Sequence, residues 1–266
     1  MSMLRSTQTP GKLLLLVAFL MAVVGGTALA QSVKVTFLHI NDVYEISAKR
    51  GIGGLPQLAT LLKAERARSA HTFMSLGGDL ISPSVMSGLT KGKQMVAMMN
   101  ALSLDFAGLG NHEFDFGDDV LKQRMAESKF TWLATNTLGK DGKPFGGATA
   151  LALRDVGEYK LGFFSLLTSE TSHLSSPSAD VQFAEVEATA KKAVADLRQQ
   201  GAHFVVAITH LDLAADRLLA RKIRGLDIIL GGHDHDPQML YESNTLILKA
   251  GTDARYLAVA DVVLSK

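Results

Sequence analysis

The sequence predicts an α/β fold, and three observations predict it. Short apolar runs rich in β-branched residues alternate with segments whose apolar residues recur at helical spacing, the pattern of strands joined by crossover helices. Gly-, Asp- and Asn-rich turns separate the two kinds of segment. The chain has 266 residues, 47% of them hydrophobic, enough for one core and near the upper size for a single domain. No internal repeat, low-complexity stretch or linker interrupts the alternation.

Residues 1–30 stand apart. Arg5 and Lys12 precede an apolar run at 13–24, followed by Gly25, Gly26, Thr27 and then Ala28-Leu29-Ala30. That order is a secretory signal with a cut expected after Ala30, and the run is shorter than the ~18 residues a membrane span needs. A periplasmic or secreted protein follows, with no membrane attachment once the signal is cleaved. The formal net charge is +1, and the signal holds two bases and no acid, so the mature chain offers no electrostatic case for a nucleic-acid polymer. There is no Cys, so any metal must be held by nitrogen and oxygen donors.

Within residues 31–266 the elements follow in order. Residues 33–40 alternate and carry Val, Thr and Ile, which predicts a strand. Gly54-Leu55-Pro56 opens a helix with Pro in its first turn and Leu58, Leu61 and Leu62 on its apolar face. Residues 72–76 are the next strand. Residues 94–102 place Met95, Met98, Met99 and Leu102 on one helical stripe, read as core filler. A strand at 104–109 is followed by a helix for which Asp118 is the expected N-cap. Strands are expected at 131–134 and 160–167, then a Ser-rich loop at 168–180 that rims the site. Helices at 185–200 and 214–224 end at Gly201 and Gly225. Strands at 204–209, 226–230, 245–249 and 256–264 complete the set.

Five of these strands end in chemistry. Asp42 follows the first and Asp79 the second. Gly110-Asn111-His112-Glu113-Phe114-Asp115-Phe116-Gly117 follows the third, His210 closes another, and Gly231-Gly232-His233-Asp234-His235 follows the next. Open α/β sheets bind ligands beyond the carboxyl ends of their strands. One Asn-His-Glu turn is ordinary turn chemistry. Two His at i and i+2 in a Gly-rich loop cannot both pack into a core, and His is the commonest metal ligand.

In this order the motifs resemble the calcineurin-like metallophosphoesterases, and within them the branch of 5'-nucleotidases and 2',3'-cyclic-nucleotide phosphodiesterases. Lys91-Gly92, Met99-Asn100 and Thr209-His210-Leu211 add branch markers. The resemblance implies a four-layer αββα sandwich of two mixed sheets flanked by helices. It implies two divalent metal ions, Mn, Zn, Fe or Co, bridged by Asp79. Asp42 and His235 fall to the first ion, and Asn111, His210 and His233 to the second. His112 and Asp115 are implied as the catalytic pair, with His112 over the substrate and Asp115 fixing its imidazole. Glu113 reads as structural, and His39 as a hydrogen-bonding support for Asp42. The implied substrate is a small-molecule phosphate ester, most of all a nucleotide.

Two departures qualify the resemblance. Where the family usually has Asp-x-His, this chain has Asp42-Val43-Tyr44. Tyr44 either coordinates the first ion as phenolate or leaves that site weaker. The nucleotide-specificity domain that usually follows has no counterpart before Lys266, which points to a catalytic domain alone or to a fragment. The rival readings are a cyclic-nucleotide phosphodiesterase, a sulfur-ester hydrolase on the same fold, or a non-catalytic metal- or nucleotide-binding relative.

Overall fold

The computed structural model describes residues 32–265; the secretory signal expected over residues 1–30 lies outside them. β1 (Val33–Ile40), α1 (Leu55–Arg68), β2 (Thr72–Leu76), α2 (Val85–Thr90) and α3 (Lys93–Ala101) come first. β3 (Phe106–Gly108) leads into a short 3-10 turn at Asn111–Phe114, then α4 (Asp118–Glu127), β4 (Thr131–Leu133) and β5 (Thr137–Leu138). Next are β6 (Leu151–Val156), β7 (Tyr159–Leu167), α5 (Thr171–Leu174), β8 (Gln182–Phe183) and α6 (Val186–Gln199). β9 (Phe204–His210), α7 (Leu213–Lys222), β10 (Ile228–Gly231), β11 (Pro237–Glu242), β12 (Thr245–Ala250) and β13 (Ala258–Leu264) follow.

Two large sheets form. The first has strand order β13-β1-β2-β3-β4, the second β11-β12-β10-β9-β7-β6. Both are mixed: β1, β2, β3 and β4 run parallel with antiparallel β13 at the edge. In the second sheet β12, β10, β9 and β7 run parallel, with antiparallel β11 and β6 outside them. Parallel central strands are covered on both faces, and the burial obeys this. Between the sheets lie Phe37, Phe106, Phe163, Ile208 and Leu230, with the Phe106 and Phe163 rings stacked at 4.4 Å. Leu58, Leu62, Met95, Met99 and Leu121 pack α1, α3 and α4 on the outer face of the first sheet. Ala190, Val194, Leu197 and Leu219 do the same for α6 and α7 on the second. Three apolar seams make four layers, helix–sheet–sheet–helix.

Met95 and Met99 are fully buried, so the Met stripe is core, as expected. Two expectations need correction. Gly117, with φ 79°, occupies the N-cap of α4, and Asp118 is its first helical residue. The Asp118 carboxylate instead accepts from Ser178 Oγ at 2.6 Å. The segment 168–180 is not all loop: its Thr171–Leu174 stretch forms α5. The parallel strands all deliver their carboxyl ends to one edge of the sandwich, where the two sheets meet.

Candidate metal centre

Asp42, Asp79 and Asn111 sit just beyond β1, β2 and β3 of the first sheet. His210 ends β9, and His233 and His235 follow β10 of the second. The loops that carry them approach closely. A Cβ on Gly232 would collide with the Gly77 carbonyl, and one on Gly110 with the Asp79 carboxylate, so these positions tolerate only glycine. Asp42 (φ 54°), Asp79 (φ 60°) and His233 (φ 75°) adopt left-handed backbone, on the order of 1–3 kcal/mol each for a non-glycine residue. Surrounding bonds hold them there. Asp42 N–H donates to Gly78 O at 3.1 Å and Val43 N–H to Asp79 O at 3.0 Å. His233 N–H donates to Asp42 Oδ2 at 3.0 Å.

Glu113 fixes the Asp79 turn. Fully buried, its carboxylate accepts from the N–H groups of Asp79 (2.8 Å), Leu80 (2.6 Å) and Gly110 (2.6 Å). Its role is structural, as expected. His39 is also buried. Its Nε2 donates to Gly231 O at 2.9 Å, while Nδ1 lies 2.9 Å from Ser75 Oγ. Burial lowers it to about 4, so it is a neutral cross-link from β1 to the second sheet.

One donor set surrounds His210. Its Nδ1 lies 2.7 Å from the Gly77 carbonyl; a carbonyl only accepts, so Nδ1 carries the proton and Nε2 points inward. Around Nε2 lie Asn111 Oδ1 at 3.0 Å, His233 Nδ1 at 3.2 Å and Asp79 Oδ2 at 3.4 Å. Acceptor atoms thus crowd a buried space, and positive charge there, whether a proton on Nε2 or a metal ion, relieves that. Although burial opposes charge, Asp79 and Asp42 raise His210 to about 10. Positive charge is favoured here, and the donors are those that suit Zn, Mn, Fe or Co. Ligand atoms of Asp42, Asp79 and His210 all lie within 4.8 Å of one another. The residues fit a metal.

A second donor set surrounds the Tyr44 hydroxyl. Asp42 Oδ1 is 3.1 Å away, Asp79 Oδ2 3.2 Å and His235 Nε2 3.1 Å. One hydroxyl proton cannot serve both carboxylates. Burial, with Asp79 and Asp42 close by, pushes the phenol above its ordinary value. Asp79 Oδ2 is within reach of both sets.

His112 flanks them. Its Nδ1 donates to Asp115 Oδ2 at 2.7 Å, and its Nε2 stands 4.0 Å from Asp79 Oδ2. The Asp115 hydrogen bond raises the imidazole, against a smaller opposing effect of burial. The other Asp115 oxygen accepts from Ser175 Oγ at 2.7 Å, so the Ser-rich segment does rim the site. All nine candidate residues, Asp42, Tyr44, Asp79, Asn111, His112, Asp115, His210, His233 and His235, come together.

Sequence reasoning missed what braces them. The Lys249 ammonium, fully buried, donates to Leu211 O (2.6 Å), Gly232 O (2.9 Å) and Asp234 Oδ2 (2.5 Å), and pairs with Asp216 at 3.0 Å. It thereby ties the His210 strand end to the His233–His235 loop. Asn41 donates to Asp42 Oδ2 and to Gly251 O, both at 2.6 Å. Asp253 accepts from Tyr44 N–H at 3.2 Å. A Lys closing the apolar run 245–249 was the readable signal, since an ammonium is rarely buried without partners.

The comparisons agree with this geometry. The family model for the calcineurin-like phosphoesterases matches residues 35–237. A snake venom 5'-nucleotidase from Gloydius brevicauda is 30% identical over 244 residues, 86% of this chain and 41% of the relative. The 5'-nucleotidase of Bos taurus is 28% identical over 227 residues, 79% of this chain and 39% of its own length. Among solved structures, the NAD nucleotidase of Haemophilus influenzae superposes with a TM-score of 0.81 at 24% identity, over 88% of this chain and 48% of that one. The chain therefore spans about two fifths of the length of the curated relatives it matches. With the motifs in order, the sandwich in place and the family model covering most of the described residues, the chain belongs to the calcineurin-like phosphoesterase family.

Proposed function

We propose that the protein is an exported, metal-dependent phosphoesterase that hydrolyses small phosphate esters, nucleotides foremost, with residues 31–266 as its catalytic domain. The observation that carries this reading is the Asp79 carboxylate. It lies within 3.4 Å of His210 Nε2 and 3.2 Å of the Tyr44 hydroxyl, with His112 Nε2 4.0 Å away. Asp79 would help hold both ions, with Asp42, His235 and position 44 beside one and Asn111, His210 and His233 beside the other. Two divalent ions held there would neutralise the phosphate oxygens and acidify the attacking water.

The chain's own residues do the rest. His112 donates its Nε2 proton to the oxygen that leaves as the phosphorus–oxygen ester bond breaks. Asp115 keeps the imidazole oriented and protonated. Nucleotides are favoured as substrates because the venom and bovine relatives that the chain matches are named 5'-nucleotidases. Export rests on the signal pattern of residues 1–30, with a periplasmic or secreted destination. No helix among the described residues is long and apolar enough to cross a membrane.

Mature protein treated with chelator is expected to lose AMP hydrolysis and regain it with Mn, Co or Zn. Parallel assays on a cyclic nucleotide and a thiosulfonate rank the ester class. Full activity in protein verified as metal-free would reject the proposal.

A further inference from the structure

Two cavities of the described residues differ in charge, and one of them reaches the candidate centre. One, of about 660 Å³, runs past Phe116 and holds Asp118, Asp119, Asp141 and Asp180 against Lys122 and Lys140. The other, of about 760 Å³, holds Lys49, Arg50 and Arg255 against Asp236. His235 lines the second cavity and also stands 3.1 Å from the Tyr44 hydroxyl, so that cavity is continuous with the centre.

Its arginines are placed for a ligand. Lys49 and Ile52 exchange backbone hydrogen bonds at 3.1 Å each way, closing a two-residue turn with Arg50 at φ 53° and Gly51 at φ 78°. Arg50 is thus held at the tip of a tight hairpin. Arg255 follows the loop whose Asp253 accepts from Tyr44 N–H. Lys49 is neutralised by Asp253 at 3.1 Å. Neither Arg50 nor Arg255 has a side-chain hydrogen bond or ion pair among the described residues. The Tyr256 ring, 55% exposed, lines the same cavity.

We infer that this cavity is a subsite for a second phosphate of the substrate, so that nucleoside diphosphates are preferred over monophosphates. The inference rests on the phosphoesterase reading. With the terminal phosphate at the centre, water adds to its phosphorus as the P–O bond to the bridging oxygen breaks, and the inner phosphate, which leaves as part of the nucleoside monophosphate, is held by the guanidinium forks of this cavity. Those forks match phosphate oxygens bidentately. Tyr256 offers a face for the base.

The test uses Mn-loaded protein and initial rates on ADP, AMP and p-nitrophenyl phosphate, for wild type and Arg50→Ala/Arg255→Ala. Wild type is expected to favour ADP over AMP in kcat/KM by about tenfold or more, the scale of a charge-assisted contact. The double variant is expected to raise KM for ADP by a similar factor, with kcat and the p-nitrophenyl phosphate rate unchanged. An ADP-to-AMP ratio near one in wild type, or one retained in the variant, would overturn the inference. Calorimetric titration with the methylene-bridged analogue of ADP reads the subsite without turnover. Binding weakened in the double variant supports it; equal binding overturns it. If no ester is turned over but analogue binding depends on the arginines, the parent reading fails and the anion subsite stands.

Discussion

The two donor sets share Asp79 but are built differently. Around His210 the structure leaves nothing loose. The His210 side chain is 0% exposed, its tautomer is set by Gly77 O, and Lys249 ties its strand end to the His233 loop. Around Tyr44 the imidazole of His235 is 55% exposed, and a phenol stands among the donors where the sequence resemblance leads one to expect a His. A site whose ligands are oriented by buried bonds loses little freedom when an ion arrives; one made from an exposed side chain and a neutral phenol must order and deprotonate first. The difference teaches that two donor sets sharing one carboxylate need not be equally ready for an ion. The expected outcome is one tightly held ion at the His210 set and one exchangeable ion at the Tyr44 set.

The largest effect is expected from the residue assigned to neither set. His112→Ala is expected to lower kcat by about 10²–10⁴ while leaving bound metal unchanged; loss of an ion would make His112 a ligand and redraw the comparison. Asp115→Asn is expected to do less. Because Asp115 raises the His112 pKa, the protonated form persists to higher pH in wild type. Removing that charge is expected to move the alkaline limb of kcat to lower pH, read from a pH–rate profile.

Next comes the brace. Lys249→Met combined with Asp216→Asn, which avoids stranding a buried carboxylate, is expected to weaken Mn binding at the His210 set by about 10–100-fold. Mn titration checks this; lowered thermal stability with unchanged affinity would reduce Lys249 to a packing residue. The smallest effect concerns Tyr44. Tyr44→His is expected to tighten the exchangeable ion by about tenfold, since an imidazole ligand needs no proton removed from a phenol. Two equally tight ions in wild type, unchanged in Tyr44→Phe, would dissolve the asymmetry.

Much of this was legible in the sequence because buried parallel strands are continuous apolar runs, and the residue that breaks each run faces the ligand edge. Asp42, Asp79 and His210 could be read that way. The edge strands of the second sheet, β11 and β6, could not. In β11, Met239 and Tyr241 are 79% and 72% exposed, so there is no one-sided apolar pattern to read. β6 went unread in the same way. The Asp118 cap was misassigned because Gly117 can adopt a positive φ and begin the helix without a side chain. The Lys249 bonds span up to 38 residues, and such partners are set by tertiary approach, which no local pattern encodes. The four layers followed from the family resemblance alone, since periodicity says which faces are buried but not against what.

The candidate donors come from both sheets: Asp42, Tyr44, Asp79 and Asn111 follow strands of one, and His210, His233 and His235 belong to the other. An ion bound among them is therefore a rivet across the seam. In the metal-free chain that edge keeps two carboxylates, Asp42 and Asp79, in a buried space. Any ion that binds only the folded chain adds to its melting free energy by mass action, about 2.7 kcal/mol at a hundredfold excess over its Kd. The melting temperature of this protein should thus be a function of free metal, and in the metal-free chain the two sheets should part first at the end that holds Asp42 and Asp79.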